Sequence, residues 1–155
     1  MLYGWQTNAF GGRKDAVLMS PDDLVAALDD ADFEGPLVDW KKKGHALESL
    51  GIEDVDGSPA YKLKETLKSG TVLFIYLDAD TYMVIKIVTQ RRVRGTLVES
   101  EIELGNYELV GGVYWPFSVE NRPRHSQSTS RTAVDSVEVD VPVDDAIFSK
   151  PGGAK

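Results

Sequence analysis

The stretch TVLFIYLDADTYMVIKIV, Thr71 to Val88, constrains this chain more than any other. It reads as two strands around the polar turn Asp78-Ala79-Asp80-Thr81. A half-buried strand alternates apolar and polar residues. The first arm does not: Val72, Phe74 and Tyr76 share one face, and Leu73, Ile75 and Leu77 share the other. The second arm sets Met83, Ile85 and Ile87 against Val84, Lys86 and Val88. Both faces therefore need a cover.

From Gly44 onward the period is two. Strands are expected over 45–52, 60–67, 71–78, 82–94, 97–107, 113–120 and 128–141. The connections EDVDGSP, KSG, DADT, RG and LVGG are short and polar, which favours an antiparallel meander. Upstream, Ser20 suits a helix N-cap, Pro21 the first helical position and Asp23 a capping-box acid. Leu24, Ala27, Leu28 and Ala31 then form an apolar stripe. A second short helix is expected over 36–43, closed by three lysines and Gly44. LYGWQTNAF reads as a strand that starts abruptly, so the chain is expected to be part of a longer protein. One domain over residues 1–150 with a disordered tail over 151–155 is the economical organisation.

The formal net charge of −8 disfavours nucleic acid and anionic membrane surfaces as partners. Between Asp15 and Asp39 there are eight carboxylates and no Lys or Arg. The basic residues gather later, at Arg91, Arg92 and Arg94 and at Arg122, Arg124 and Arg131. Both groups read as solvated surface. The chain has no cysteine, which excludes disulfides and thiolate metal sites. It has no apolar run long enough for a membrane-spanning helix, and its first residues lack the pattern of a signal peptide.

Chemistry-bearing motifs are weak. Asp54-Val55-Asp56-Gly57 opens like a calcium loop that would end at Glu65, but Pro59 and Lys62 stand where Gly and a ligand belong. A hairpin turn is the simpler reading. Asp78 and Asp80 could hold a divalent ion beside a nucleotide, yet a turn must occur there and Asp tolerates it. His45 and His125 stand far apart in sequence, and no Gly-x-Ser-x-Gly elbow is present. No catalytic residue, metal site or cofactor is expected. Tyr114-Trp115-Pro116-Phe117 is an aromatic cluster that suits either core or a hydrophobic cavity, with Pro116 near an edge or bulge.

GIEDVDGSPAYKLKETLKSGTVLFIYLDADTYMVIK, GNYELVGGVYWPFSVE and VEVDVPVDDAIFSKP together resemble the outer-membrane lipoprotein-sorting proteins, the LolA/LolB-like carriers. GWQTNAFGG followed by an acidic helix is similar to the same group, with Ala9 where that group suggests Pro. The resemblance covers nearly the whole chain and corresponds to the C-terminal portion of such proteins. It implies an α+β fold: a curved antiparallel sheet, or half-barrel, with short helices against its concave face. It also implies a non-enzymatic periplasmic protein, from which the signal peptide and N-terminal strands have been removed, that holds lipid or lipoprotein acyl chains in the concavity. The alternative is a structural or protein–protein interaction module without a small ligand. Exposed sheet edges would in either case favour a homodimer.

A turn flanked by Leu77 and Tyr82 would set Phe74 opposite Ile85 and Val72 opposite Ile87. On that pairing Val72, Phe74, Tyr76, Met83, Ile85 and Ile87 share a face away from Lys86. These six, with Trp115 and Phe117 added by pattern, are the expected ligand-binding residues.

Overall fold

The computed structural model describes residues 3–8, 13–123 and 129–149. The expected tail over 151–155, His125, Arg124 and the Phe10-Gly11-Gly12 segment lie outside them. The chain divides into two compact units, one running from Glu34 to Val139 and the other formed by the residues before and after it.

The larger unit is an unclosed, curved antiparallel sheet of seven strands in sequence order. We number its strands β3 (Ala46–Val55), β4 (Ser58–Thr66), β5 (Val72–Asp78), β6 (Val84–Val93), β7 (Thr96–Val110), β8 (Val113–Pro123) and β9 (Ser130–Ala133). The period-two reading located all seven, though the strand expected over 128–141 is confined to Ser130–Ala133, and the fold class is α+β as expected. Three of the hairpins use two-residue turns in which both residues are left-handed. Asp56-Gly57 has φ 50° and 87°, Arg94-Gly95 51° and 81°, and Gly111-Gly112 61° and 84°. Turns of this hand match the twist of the strands they join. Asp54 Oδ1 accepts from Gly57 N at 2.9 Å, so the calcium-like segment is a hairpin turn. Ahead of β3, a short helix α2 (Trp40–Lys43) ends at Gly44, where φ is 80° and the His45 N–H donates to Trp40 O. This helix is shorter than the span expected from sequence, and residues 36–39 form turns instead.

The core lies on one sheet face. Leu67, Leu73 and Ile75 are buried, and Leu37, Leu63, Leu77, Val84 and Ile87 pack against them. Leu37, just ahead of α2, thus covers the centre of this face.

In the smaller unit, β1 (Trp5–Asn8) pairs antiparallel with β2 (Arg13–Leu18), a strand that the sequence reading missed. Helix α1 (Pro21–Asp30) begins at Ser20, whose hydroxyl accepts from the Asp23 N–H at 3.2 Å and donates to the Asp23 carboxylate at 2.7 Å. A 3₁₀ turn spans Asp145–Phe148, and Asp144 Oδ1 accepts from Ala146 N.

Candidate functional site

The turn between β5 and β6 decides which residues share a face. Asp78 Oδ1 accepts from Thr81 N at 2.8 Å, from Thr81 Oγ1 at 2.7 Å and from Asp80 N at 3.2 Å. The Thr81 hydroxyl and backbone N–H hold the Asp78 carboxyl below the usual carboxylate range. The four turn residues are 79–82, with Asp78 N donating to Met83 O across the neck. Moving a four-residue turn along by one residue preserves the faces, but a bulge follows. Leu77 pairs with Val84 and Tyr76 with Lys86, which leaves Ile85 as the extra residue. One extra residue reverses every side chain beyond it.

This corrects the expected pairing. Phe74 stands opposite Val88, Val72 opposite Gln90 and Ile75 opposite Ile87. Val72, Phe74 and Tyr76 share a face with Lys86, not with Ile87. Met83 lies at the turn and Ile85 in the bulge. Ile87 is on the core face. By alternation along β8, Trp115 and Phe117 are on the core face too, together with Val119. The structure therefore splits the expected ligand-binding set between two faces.

The core face continues beyond its buried centre. Ile87 pairs with Ile102, and Leu104 with Val119. Ile102, Leu104, Phe117 and Val119 are half-buried and lie outside the buried cluster. Asn121, opposite Ile102, has a buried Oδ1 without a hydrogen-bond partner among the described residues. The Trp115 indole donates to Val110 O at 3.2 Å. The Tyr107 hydroxyl donates to Val84 O at 2.6 Å, and burial pushes that phenol up.

The opposite face answers the question posed by the doubly apolar strand. Tyr76 is only 7% exposed there. Lys62 on β4 and Lys86 on β6 flank it in register. Their ammonium groups lie 5.2 and 5.9 Å from the Tyr76 ring centroid, and Lys62 also lies 5.6 Å from that of Phe74. Lysine stems cover apolar surface while their heads stay wet, and the cations gain from the ring faces. The second apolar face is thus shielded by its own neighbours. Lys62 bonds Glu53 at 2.7 Å, and Lys86 pairs with Glu101 at 2.9 Å. Glu53 and the Tyr76 hydroxyl hold the Lys62 ammonium above its ordinary range. Further along, Arg122 and Arg131 both bond Glu120, and Arg122 chiefly holds that carboxyl low.

Sequence reasoning missed one buried polar pair. Glu65 is fully buried on the core face, and its Oε1 lies 2.9 Å from His45 Nδ1. Its signal was a carboxylate in strand register with Leu63 and Leu67. Among the described residues, no group of three or more His, Asp or Glu could hold a metal ion. Among them also, no helix is long and apolar enough to cross a membrane.

No protein-family model matches the chain, and no curated protein matches it. Two solved structures share its fold. One is a candidate outer membrane lipoprotein-sorting protein domain from Vibrio parahaemolyticus, at TM-score 0.54 and 14% identity over 68% of this chain. The other is a DUF1329 family protein from Desulfovibrio piger, at TM-score 0.54 and 18% identity over 86% of this chain. The chain spans about half the length of these neighbours, 46% and 58% respectively. The likeness to a lipoprotein-sorting fold expected from the sequence is borne out, and at these identities it speaks of fold alone.

Proposed function

We propose that this chain is a non-enzymatic, periplasmic lipid-binding module that holds an acyl chain of a lipid or lipoprotein against the core face of its sheet. The observation that carries this reading is the apolar surface running past its own cover. Leu37 packs over the buried centre, while Ile102, Leu104, Phe117 and Val119 continue the same face half-buried. An acyl chain laid along them removes apolar surface from water at ~25 cal/mol per Å², less the cost of association. The proposed site keeps Ile87, Trp115 and Phe117 of the expected set and sets aside Val72, Phe74 and Tyr76. A role in sorting lipoproteins to the outer membrane follows the name of one fold neighbour and stands on that likeness.

The test is titration of delipidated protein with a fluorescent fatty acid. Saturable binding is expected. Leu104→Lys should weaken it roughly tenfold or more with the circular dichroism spectrum unchanged, whereas Phe74→Ala, on the opposite face, should leave it as in wild type. No saturable uptake by wild type, or loss in Phe74→Ala alone, would refute the reading.

A further inference from the structure

The β7–β8 ribbon outruns the strands beside it. Pairing with β6 ends at Lys86–Glu103, and pairing with β9 ends at Ser118–Ala133. From Leu104 to Phe117 the two strands are laddered only to each other. The Tyr107 hydroxyl ties the base of this stretch to Val84 O. Between Leu104 and Phe117, Glu108 is the only charged residue. The end itself reads LVGGVY, whereas Asp56, Asp80 and Arg94 stand at the ends of the other hairpins. Leu109 is 60% exposed, Val113 55% and Tyr114 52%. Val139, also exposed, stands beside Gly111 and widens the apolar end.

We propose that this hairpin end inserts into the headgroup–acyl boundary of a neutral lipid bilayer. Glu108 stands three residues behind the turn, so roughly 10 Å of ribbon enters before a charge meets the lipid. Interfacial segments reach that depth. A backbone that enters lipid must bring its hydrogen bonds with it. Here the ladder runs out to the Val110–Val113 pair, and the Trp115 indole donates to Val110 O at 3.2 Å. Tyr114 and Trp115 follow the aliphatic tip, at the level where amphipathic rings settle between hydrocarbon and water. A few side chains on a hairpin end fall short of the ~800 Å² per partner that a stable protein interface buries. A bilayer requires no matched surface. The end carries no Lys or Arg and the chain has a net charge of −8, so anionic headgroups add nothing to the attraction. This proposal concerns the end of the ribbon and stands without the acyl site.

Flotation of the whole chain with phosphatidylcholine vesicles tests it. Wild type is expected to float with the vesicles, and to do so equally in low and high salt. Leu109→Asp and Val113→Asp should each lower partitioning roughly tenfold or more. Both side chains are exposed, so the circular dichroism spectrum should not change. Ile52→Asp, at a comparably exposed apolar residue outside the ribbon, should float as wild type does. Wild type that stays with the unbound fraction, or full flotation of both tip variants, would overturn the proposal. So would binding confined to phosphatidylglycerol vesicles and reversed by salt. Tip variants that dissociate a homodimer while floating as before would assign the hairpin end to a second copy instead.

Discussion

His45 Nδ1 lies 2.9 Å from Oε1 of Glu65, a carboxylate with no solvent exposure, and the other oxygen of Glu65 has no hydrogen-bond partner among the described residues. Removing one partner of a buried polar pair strands the other. His45→Ala is expected to destabilise the fold by about 3 kcal/mol or more in urea denaturation. Replacing both residues with leucine should cost far less than that single change. A double replacement as harmful as His45→Ala would show that packing, not the stranded carboxylate, sets the cost.

The Asp78 carboxyl is held low by the hydroxyl and N–H of Thr81. A depressed folded pKa adds stability above the unfolded value, near 3.9, that is lost as pH falls through the folded value. Asp78→Asn keeps an acceptor oxygen but removes the charge. Its melting temperature should lie below that of wild type at neutral pH, and the gap should close under acid, from about pH 4 downward. The group is exposed, so the gap should be small. A gap that stays constant into strong acid would contradict this account.

Gly111 has φ 61°, and a Cβ built there would sit 2.9 Å from Val139 Cγ2. Gly112 has φ 84° and open space around its Cβ position. Both glycine-to-alanine changes carry the left-handed backbone cost of about 1–2 kcal/mol. Gly111→Ala should cost more, and Val139→Ala should recover the excess in that background only. Equal losses at the two positions would remove the contact from the explanation.

Strand β3 is an outer strand of the sheet, and Ile52 on it is 63% exposed. Outer strands template pairing with another chain. We expect light scattering at millimolar concentration to show a homodimer, and Ile52→Lys to shift it toward monomer. A bulge at Leu50, next to Gly51 with φ 93°, and the acids Glu48, Glu53 and Asp54 blunt this edge. The association should therefore be weak. A wild type that stays monomeric at that concentration would exclude edge pairing.

The positions of the seven strands were legible because period-two residues and turn residues are local signals. Their facing was not. Ile85 reversed it, and nothing in DADTYMVIK distinguishes a bulged Ile85 from a paired one. The turn, with its Asp78–Thr81 bonds and left-handed Tyr82 at φ 59°, keeps the faces, and the bulge falls just beyond the Leu77–Val84 pair. The His45–Glu65 pair was hidden for another reason: the two residues meet only once β4 and the end of α2 are in place. The lysine cover on Tyr76 could have been found, since Lys62 and Lys86 flank it as soon as the register is known. Strand β2 was missed because Arg13–Leu18 alternates too little to declare itself.

Each strand from β3 to β9 is hydrogen-bonded only to its neighbours in sequence. A nascent chain leaving the ribosome can therefore add one strand at a time to a template that has already emerged. No distant segment has to return before the ladder forms, and the three two-residue turns keep their own closures short. The sheet is suited to growing during synthesis, and at every stage its vulnerable part is the last strand added, waiting for the next.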